Sequence, residues 1–412
     1  MEYHLYQFNN GLRFLHRPNW VRGITHLCLL IQVGSRDEKK GQTGMAHFME
    51  HMLFKGTHKR NNRQILNYLE LVGGEINAYT TKEYTCIYAS FLDHYLEKGL
   101  DLFKDMVVNS KFPLQEIERE KGVIGDEIDS YRDIPEEFIQ DDFDEILFGQ
   151  HPLGNNILGS RETINQIEQE DLFQFKNQYY KASGMILGVY NSMPTMEIQK
   201  KVEKYFSDLP NGKIESSRIP FKKEVGIEKK IIQAPIHQVH GLIGGLSYSS
   251  HDSGRIPMLL LMNLLGGPGM SSRLNLEIRE KRGICYQIES NYTALSDTGM
   301  FSIYFGTDPE KYEKCLELIY SELKRIREKG MSSLYLQQSK ARFKGQIALA
   351  DENHSSVLIS LCKSIQDYGY ADSIQEIFRQ IDSITHTDLL KVANDHFNLD
   401  TMSSLILVPE KE

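Results

Sequence analysis

The order of secondary-structure elements in this chain is written twice, which restricts the fold to two units of one design. In the first half the apolar strand HLCLLIQVGS (residues 26–35) runs into the helix-compatible stretch GMAHFMEHMLFKGT (44–57). In the second half QVHGLIGGLSYSS (238–250) runs into IPMLLLMNLLGG (256–267). Further on, GGEINAYTTKEYTCIYASFLDHYLEKGLDLFKDM (73–106) is echoed by RGICYQIESNYTALSDTGMFSIYFGTDPEKYEKCLELIYSEL (282–323). Each copy reads as glycine, two alternating strands joined by a turn, and a helix opening near an aspartate, Asp93 or Asp308. The polar stretch 209–230, carrying Pro, Gly and charge, separates the copies. The expected architecture is therefore α+β, with domains at 1–210 and 230–412 joined by a linker at 211–229. Each domain is expected to be a mostly antiparallel sheet with helices on one face.

Inside the first copy His47, Glu50 and His51 form an H-x-x-E-H pattern, a signature of zinc hydrolases. Histidines four apart on a helix lie one above the other on one face, so their ring nitrogens can converge on one cation. Glu50 stands on the same flank, and a carboxylate that does not bind the metal can take a proton from water activated there. A five-residue pattern also arises by chance, so a second feature is needed. EIEREKGVIGDEIDSYRD (116–133) has the apolar spacing of a helix through Ile117, Val123, Ile124 and Ile128. Glu120 and Glu127 are seven apart within it, close to two turns, so both carboxylates point the same way. They form either part of one site or a solvated acidic face.

Taken together these residues resemble the zinc peptidases that include insulysin, pitrilysin and the mitochondrial processing peptidase, the inverzincins. Glu127 lies 76 residues after His51 and follows Glu120, as the third ligand of that family follows an upstream helix glutamate. GGEINAYTTKEYTCIYAS (73–90) is similar to the family's strand beside the zinc. HPLGNNILGSRETI (151–164) is similar to a segment of its shorter bacterial and mitochondrial members. The likeness runs from LYQFNNGLRF to the last strand, and departs from the family at SGMILGVYN (183–191), a scaffold region. The resemblance implies one zinc per chain held by His47, His51 and Glu127, with Glu50 as general base and Glu120 supporting the ligands.

The second copy lacks those metal residues but carries Arg279 and Tyr286, seven apart, which match the arginine and tyrosine that the family sets across the substrate chamber. A cation and a phenol can both donate hydrogen bonds to a carbonyl and its developing oxyanion. Without the resemblance, Arg279 reads as a helix-surface residue paired with a glutamate and Tyr286 as a half-buried strand aromatic. Arg282 competes for the arginine role. Residues Glu75 to Thr80 offer a strand edge on which a peptide substrate can add, with Glu75 a candidate substrate-binding residue at its start and Asn77 and Ala78 matching the family's positions. The implied activity is hydrolysis of peptide bonds in unfolded peptides held in a closed chamber. Two domains supply half of a clamshell, so a homodimer is expected, with a heterodimer open. The alternative is a non-catalytic scaffold or partner subunit, as in relatives that have lost proteolysis.

Net charge is −9 over 412 residues and the sequence pI is near 5.9, which gives no electrostatic reason to bind nucleic acid. No run approaches a membrane span. The first residues lack an apolar signal core, so a cytoplasmic location is expected. The charged run 136–145 reads as the wet face of an amphipathic helix. Cys28, Cys86, Cys285, Cys315 and Cys362 are odd in number and widely spaced, as reduced, buried cysteines are. His58 and His151 read as loop or surface residues.

Overall fold

The computed structural model describes residues 3–19, 23–214, 218–222 and 226–410. In chain order the elements are β1 (His4–Gln7), β2 (Arg13–Pro18), β3 (Ile24–Ile31), α1 (Met45–Leu53), α2 (Asn62–Glu70), β4 (Glu75–Thr80), β5 (Thr85–Leu92), α3 (Leu96–Asn109), α4 (Leu114–Arg132), α5 (Pro135–Phe148), α6 (Arg161–Asn165), α7 (Gln169–Tyr179), β6 (Met185–Asn191) and α8 (Thr195–Phe206). They continue with β7 (Lys229–Ala234), β8 (Val239–Ser247), α9 (Arg255–Gly266), β9 (Cys285–Ala294), β10 (Gly299–Thr307), α10 (Tyr312–Lys329), α11 (Ser333–Ala350), α12 (His354–Tyr368), α13 (Ile374–Ser383), α14 (His386–His396) and β11 (Ser403–Pro409). A single π-helical turn, Asn275–Glu280, precedes β9.

The chain forms two compact units, and neither is contiguous in sequence. The first comprises Met1–Ser130, Asn155–Arg218 and Leu349–Ser373. The second comprises Tyr131–Gly154, Ile219–Ala348 and Ile374–Glu412. The expected halves 1–210 and 230–412 therefore each give one helix to the other unit: α5 belongs with the second, α12 with the first. Residues 215–217 and 223–225 of the expected linker lie outside the described residues.

In the first unit the six strands run in the order β1-β2-β6-β3-β5-β4, all antiparallel except β2 against β6. Alternation sends Leu27, Leu29, Ile31, Ile87, Ala89, Phe91, Leu187 and Val189 to one face, where α1, α2, α3, α7 and α8 close a large core. The residues between them, Cys28, Leu30, Cys86, Ile186 and Tyr190, face the other way and meet Leu358, Cys362 and Ile365 of α12. The second unit repeats the design with strands in the order β7-β11-β8-β10-β9, parallel only between β7 and β11. Its larger core lies against α9, α10 and α14, and Leu242, Tyr304, Leu405 and Leu407 on the reverse face pack on Ile139, Phe143, Ile146 and Leu147 of α5.

The α+β class and the mostly antiparallel sheets are as expected. The expectation of helices on one face describes only the larger layer, because both faces of these strands are apolar and each reverse face needs a cover. All five cysteines are buried and free. The run 136–145 is the amphipathic helix expected, with Ile139 and Phe143 fully buried. Among the described residues no helix is long and apolar enough to cross a membrane.

Candidate metal centre

α1 builds the centre with two flanks of different chemistry. Phe48, Met49, Met52 and Leu53 enter the core of the first unit with no exposed surface. Their burial fixes the helix and turns His47, Glu50 and His51 to the flank that faces α4 and β4. Gly44, which precedes the helix, has φ +90°, and a Cβ there would lie 2.6 Å from the Leu158 carbonyl oxygen. Its backbone N–H donates to Glu38 Oε2 at 3.1 Å, and that of Ala46 to Glu38 Oε1 at 2.8 Å. A buried carboxylate from the preceding loop thus satisfies the first free N–H groups of the helix and meets the positive end of its dipole.

The rings of His47 and His51 are 4.6 Å apart between centroids. From α4, Glu127 brings Oε1 to 3.9 Å from His47 Nε2 and Oε2 to 3.7 Å from His51 Nε2. One donor atom from each of the three residues falls within a 4.8 Å cluster, the one such group of metal-ligating side chains among the described residues. Tetrahedral zinc with ligands at about 2.0–2.2 Å needs donors roughly 3.3–3.6 Å apart. The two Glu127–histidine spacings lie within a few tenths of an ångström of that range, the whole cluster spans no more than 4.8 Å, and two imidazoles plus a carboxylate are the donor types zinc accepts. The residues fit the ion.

Glu120, two turns before Glu127 and almost fully buried, accepts from His51 Nδ1 at 3.0 Å and pairs with Lys55 Nζ at 2.7 Å. The first contact places the His51 proton on Nδ1 and leaves the Nε2 lone pair for a metal. Burial works to raise the Glu120 carboxyl, but the hydrogen bonds from His51 and Lys55 outweigh it and hold the group below its ordinary value. His47 is driven down to about 3 by burial and by neighbouring His51, so it is a neutral donor. Glu50 is not among the clustered ligands. Burial pushes its carboxyl up, against a 2.6 Å hydrogen bond from Thr80 Oγ1 that favours the charged form.

Residues 21–161 match the family model described as insulinase, peptidase family M16, and residues 166–343 match the model described as the peptidase M16 inactive domain. This chain belongs to peptidase family M16. An uncharacterized zinc protease of Bacillus subtilis, YmxG, is 31% identical over 402 residues, covering 97% of both chains. A zinc protease of Rickettsia bellii is 32% identical over 403 residues, covering 97% of this chain and 96% of its own. Among solved structures, a Helicobacter pylori protease shares the fold with a TM-score of 0.92 at 22% identity, over 99% of each chain. A Pseudomonas fluorescens structure described as a peptidase M16 inactive domain also gives 0.92, at 20% identity over 100% of this chain and 98% of that one.

The other residues singled out in this M16 chain fall in two places. Glu75, Asn77 and Ala78 lie on β4, the edge of the first sheet, and the Asn77 side chain accepts from the Ala78 N–H at 2.8 Å. Arg279 and Tyr286 belong to the second unit. Arg279, on the π-helical turn, reaches Asn275 Oδ1 at 3.5 Å and Glu280 at 3.8 Å. Tyr286, at the start of β9, is 38% exposed and lies over Gly306, where any Cβ would meet its ring at 2.5 Å. Burial and the Glu136 carboxylate push its phenol up to about 12, so it stays a hydrogen-bond donor. Arg282 is engaged by Glu277. Among the described residues the second unit has no metal-ligating cluster. Sequence reading missed Glu38, Lys55 and the Thr80 hydroxyl, because their roles depend on contacts between separate elements.

Proposed function

We propose that this M16 protein is a zinc-dependent endopeptidase that hydrolyses peptide bonds in unfolded peptides. The observation that carries the reading is the clustering of three metal-ligating groups, two from α1 and one from α4, with the half-buried Glu50 on the same flank of α1 as the two histidines. When bound, zinc supplies a Lewis acid that polarises a carbonyl and acidifies water. His47, His51 and Glu127 hold it, and Glu120 fixes the His51 ring. Glu50 takes the proton from the attacking water and delivers it to the leaving amine, a dual task suited to a carboxyl raised by burial. The edge of β4 receives the peptide as an added strand, with Glu75, Asn77 and Ala78 against its backbone. Arg279 and Tyr286 of a second copy of the chain donate hydrogen bonds to the carbonyl oxygen as negative charge develops. Both constellations occur on one chain, which favours a homodimer.

Chelation tests the metal requirement. Cleavage of an unstructured peptide is expected to stop on zinc removal and return with added zinc. Glu127→Gln is expected to weaken zinc binding by roughly ten- to a hundredfold or more, read by metal analysis after dialysis. Cleavage that survives complete chelation, or full zinc retention by Glu127→Gln, would contradict the assignment.

A further inference from the structure

We infer that Thr80 is the positioning residue for the Glu50 carboxylate, and that the turn after β4 is braced so that its hydroxyl selects which Glu50 oxygen handles the proton. The functional half of this inference rests on the peptidase reading above; the structural half does not. Thr80 Oγ1 donates to Glu50 Oε2 at 2.6 Å, and the Glu50 carboxylate accepts no other hydrogen bond among the described residues. Oε2 is therefore held and Oε1 is left to exchange a proton. A glutamate carboxylate sits beyond three rotatable bonds, and such a partner holds it in a single working orientation. Threonine suits the task, because branching at Cβ restricts its own rotation.

The backbone that carries Thr80 is fixed from several sides. Thr80 closes β4 opposite Thr85 of β5. In the turn that follows, Thr81 N–H donates to the Tyr84 carbonyl at 2.9 Å, and Thr81 Oγ1 accepts from the N–H groups of Glu83 and Tyr84. The loop before α1 then grips the turn: Ser35 N–H donates to the Thr81 carbonyl at 3.1 Å and Arg36 N–H to that of Lys82 at 2.9 Å. Only glycine permits this approach at position 34, since a Cβ would lie 2.3 Å from Thr81 O. Ion pairs complete the brace, Arg36 to Glu83 at 2.7 Å and Arg218 to Asp37 at 2.8 Å, with Arg218 also donating to the Glu83 carbonyl at 2.7 Å. β4 is the edge strand of the sheet. A peptide added there runs along the strand whose last residue orients the base, so edge occupancy and base geometry share one element.

The isosteric Thr80→Val removes the donor and keeps the shape; Thr80→Ser keeps the donor. Thr80→Val is expected to lower kcat roughly ten- to a hundredfold, the scale set by misplacing a catalytic group by about 1 Å, with KM and zinc content near wild type. Thr80→Ser is expected to recover most of the loss. A Thr80→Val protein within about twofold of wild-type kcat, a loss confined to KM, or a serine variant as impaired as valine would overturn the proposal. Crystal structures give a readout independent of turnover. Glu50 is expected in one rotamer against the hydroxyl in wild type and Thr80→Ser, and displaced or spread over several in Thr80→Val. An unchanged Glu50 in Thr80→Val overturns the positioning claim. If the wild type cleaves nothing, the peptidase reading falls and the rotamer comparison still decides the role of Thr80.

Discussion

Burial acts on His16 and Glu50 in opposite directions, because in each case it disfavours the charged form. His16 is fully buried on β2, with Nδ1 2.7 Å from Thr195 Oγ1 and Nε2 3.3 Å from Asn191 Oδ1. Burial drives it down to about 4, against the hydrogen bond to Asn191. The unfolded chain binds this proton near pH 6.5 and the folded chain only near 4, so stability falls as pH drops through that window. The loss from this residue alone is on the order of 3 kcal/mol. Urea unfolding of His16→Gln is expected to lose less stability between pH 7 and 4.5 than wild type does. Equal losses would remove His16 as the cause. The sequence revealed the residue types that bear chemistry better than their environments. The four-residue and seven-residue spacings of His47, His51, Glu120 and Glu127 are properties of a helix and could be read directly. The Thr80 partner of Glu50 is 30 positions away on another element, and no local period encodes it.

α1 shows how an element can be foreseen while its support is not. Its apolar and ligating flanks follow from helical period, yet its N-terminal cap is Glu38, six positions before Gly44 and outside any standard capping spacing. The burial that lets Glu38 reach both N–H groups also pushes its carboxyl well up. Gly44 is where this support is most exposed to mutation, because φ +90° strains any other residue and the Leu158 carbonyl leaves no room for a side chain. Gly44→Ala is expected to destabilise the protein by about 2 kcal/mol or more and to lower zinc retention, since the helix carries two ligands. Thermal unfolding and metal analysis check both. An unchanged melting temperature would show that the entry to α1 adapts freely.

At the scale of the whole molecule, the duplication was readable but the exchange of helices was not. Periodicity separates buried from exposed positions, and it does not say which segment of chain supplies a cover. One signal was present: HLCLLI in β3 and MILGVY in β6 are nearly continuous apolar runs, the mark of strands buried on both faces. Residues 1–210 alone lack α12 and leave Leu15, Cys28, Leu30 and Ile186 uncovered. That segment is expected to be insoluble or loosely packed, and co-production with residues 349–373 is expected to improve its solubility. A monomeric, cooperatively unfolding 1–210 fragment would contradict the assignment of α12 to the first unit's core. The proposed peptidase activity depends on Glu50 as the proton carrier beside a three-residue metal centre. Its most direct test is cleavage of an unstructured peptide by zinc-loaded wild type and zinc-loaded Glu50→Gln, side by side. Cleavage by the wild type alone, with equal zinc in both proteins, is expected; equal turnover by Glu50→Gln would remove Glu50 as the proton carrier, and none by the zinc-loaded wild type would remove the peptidase activity.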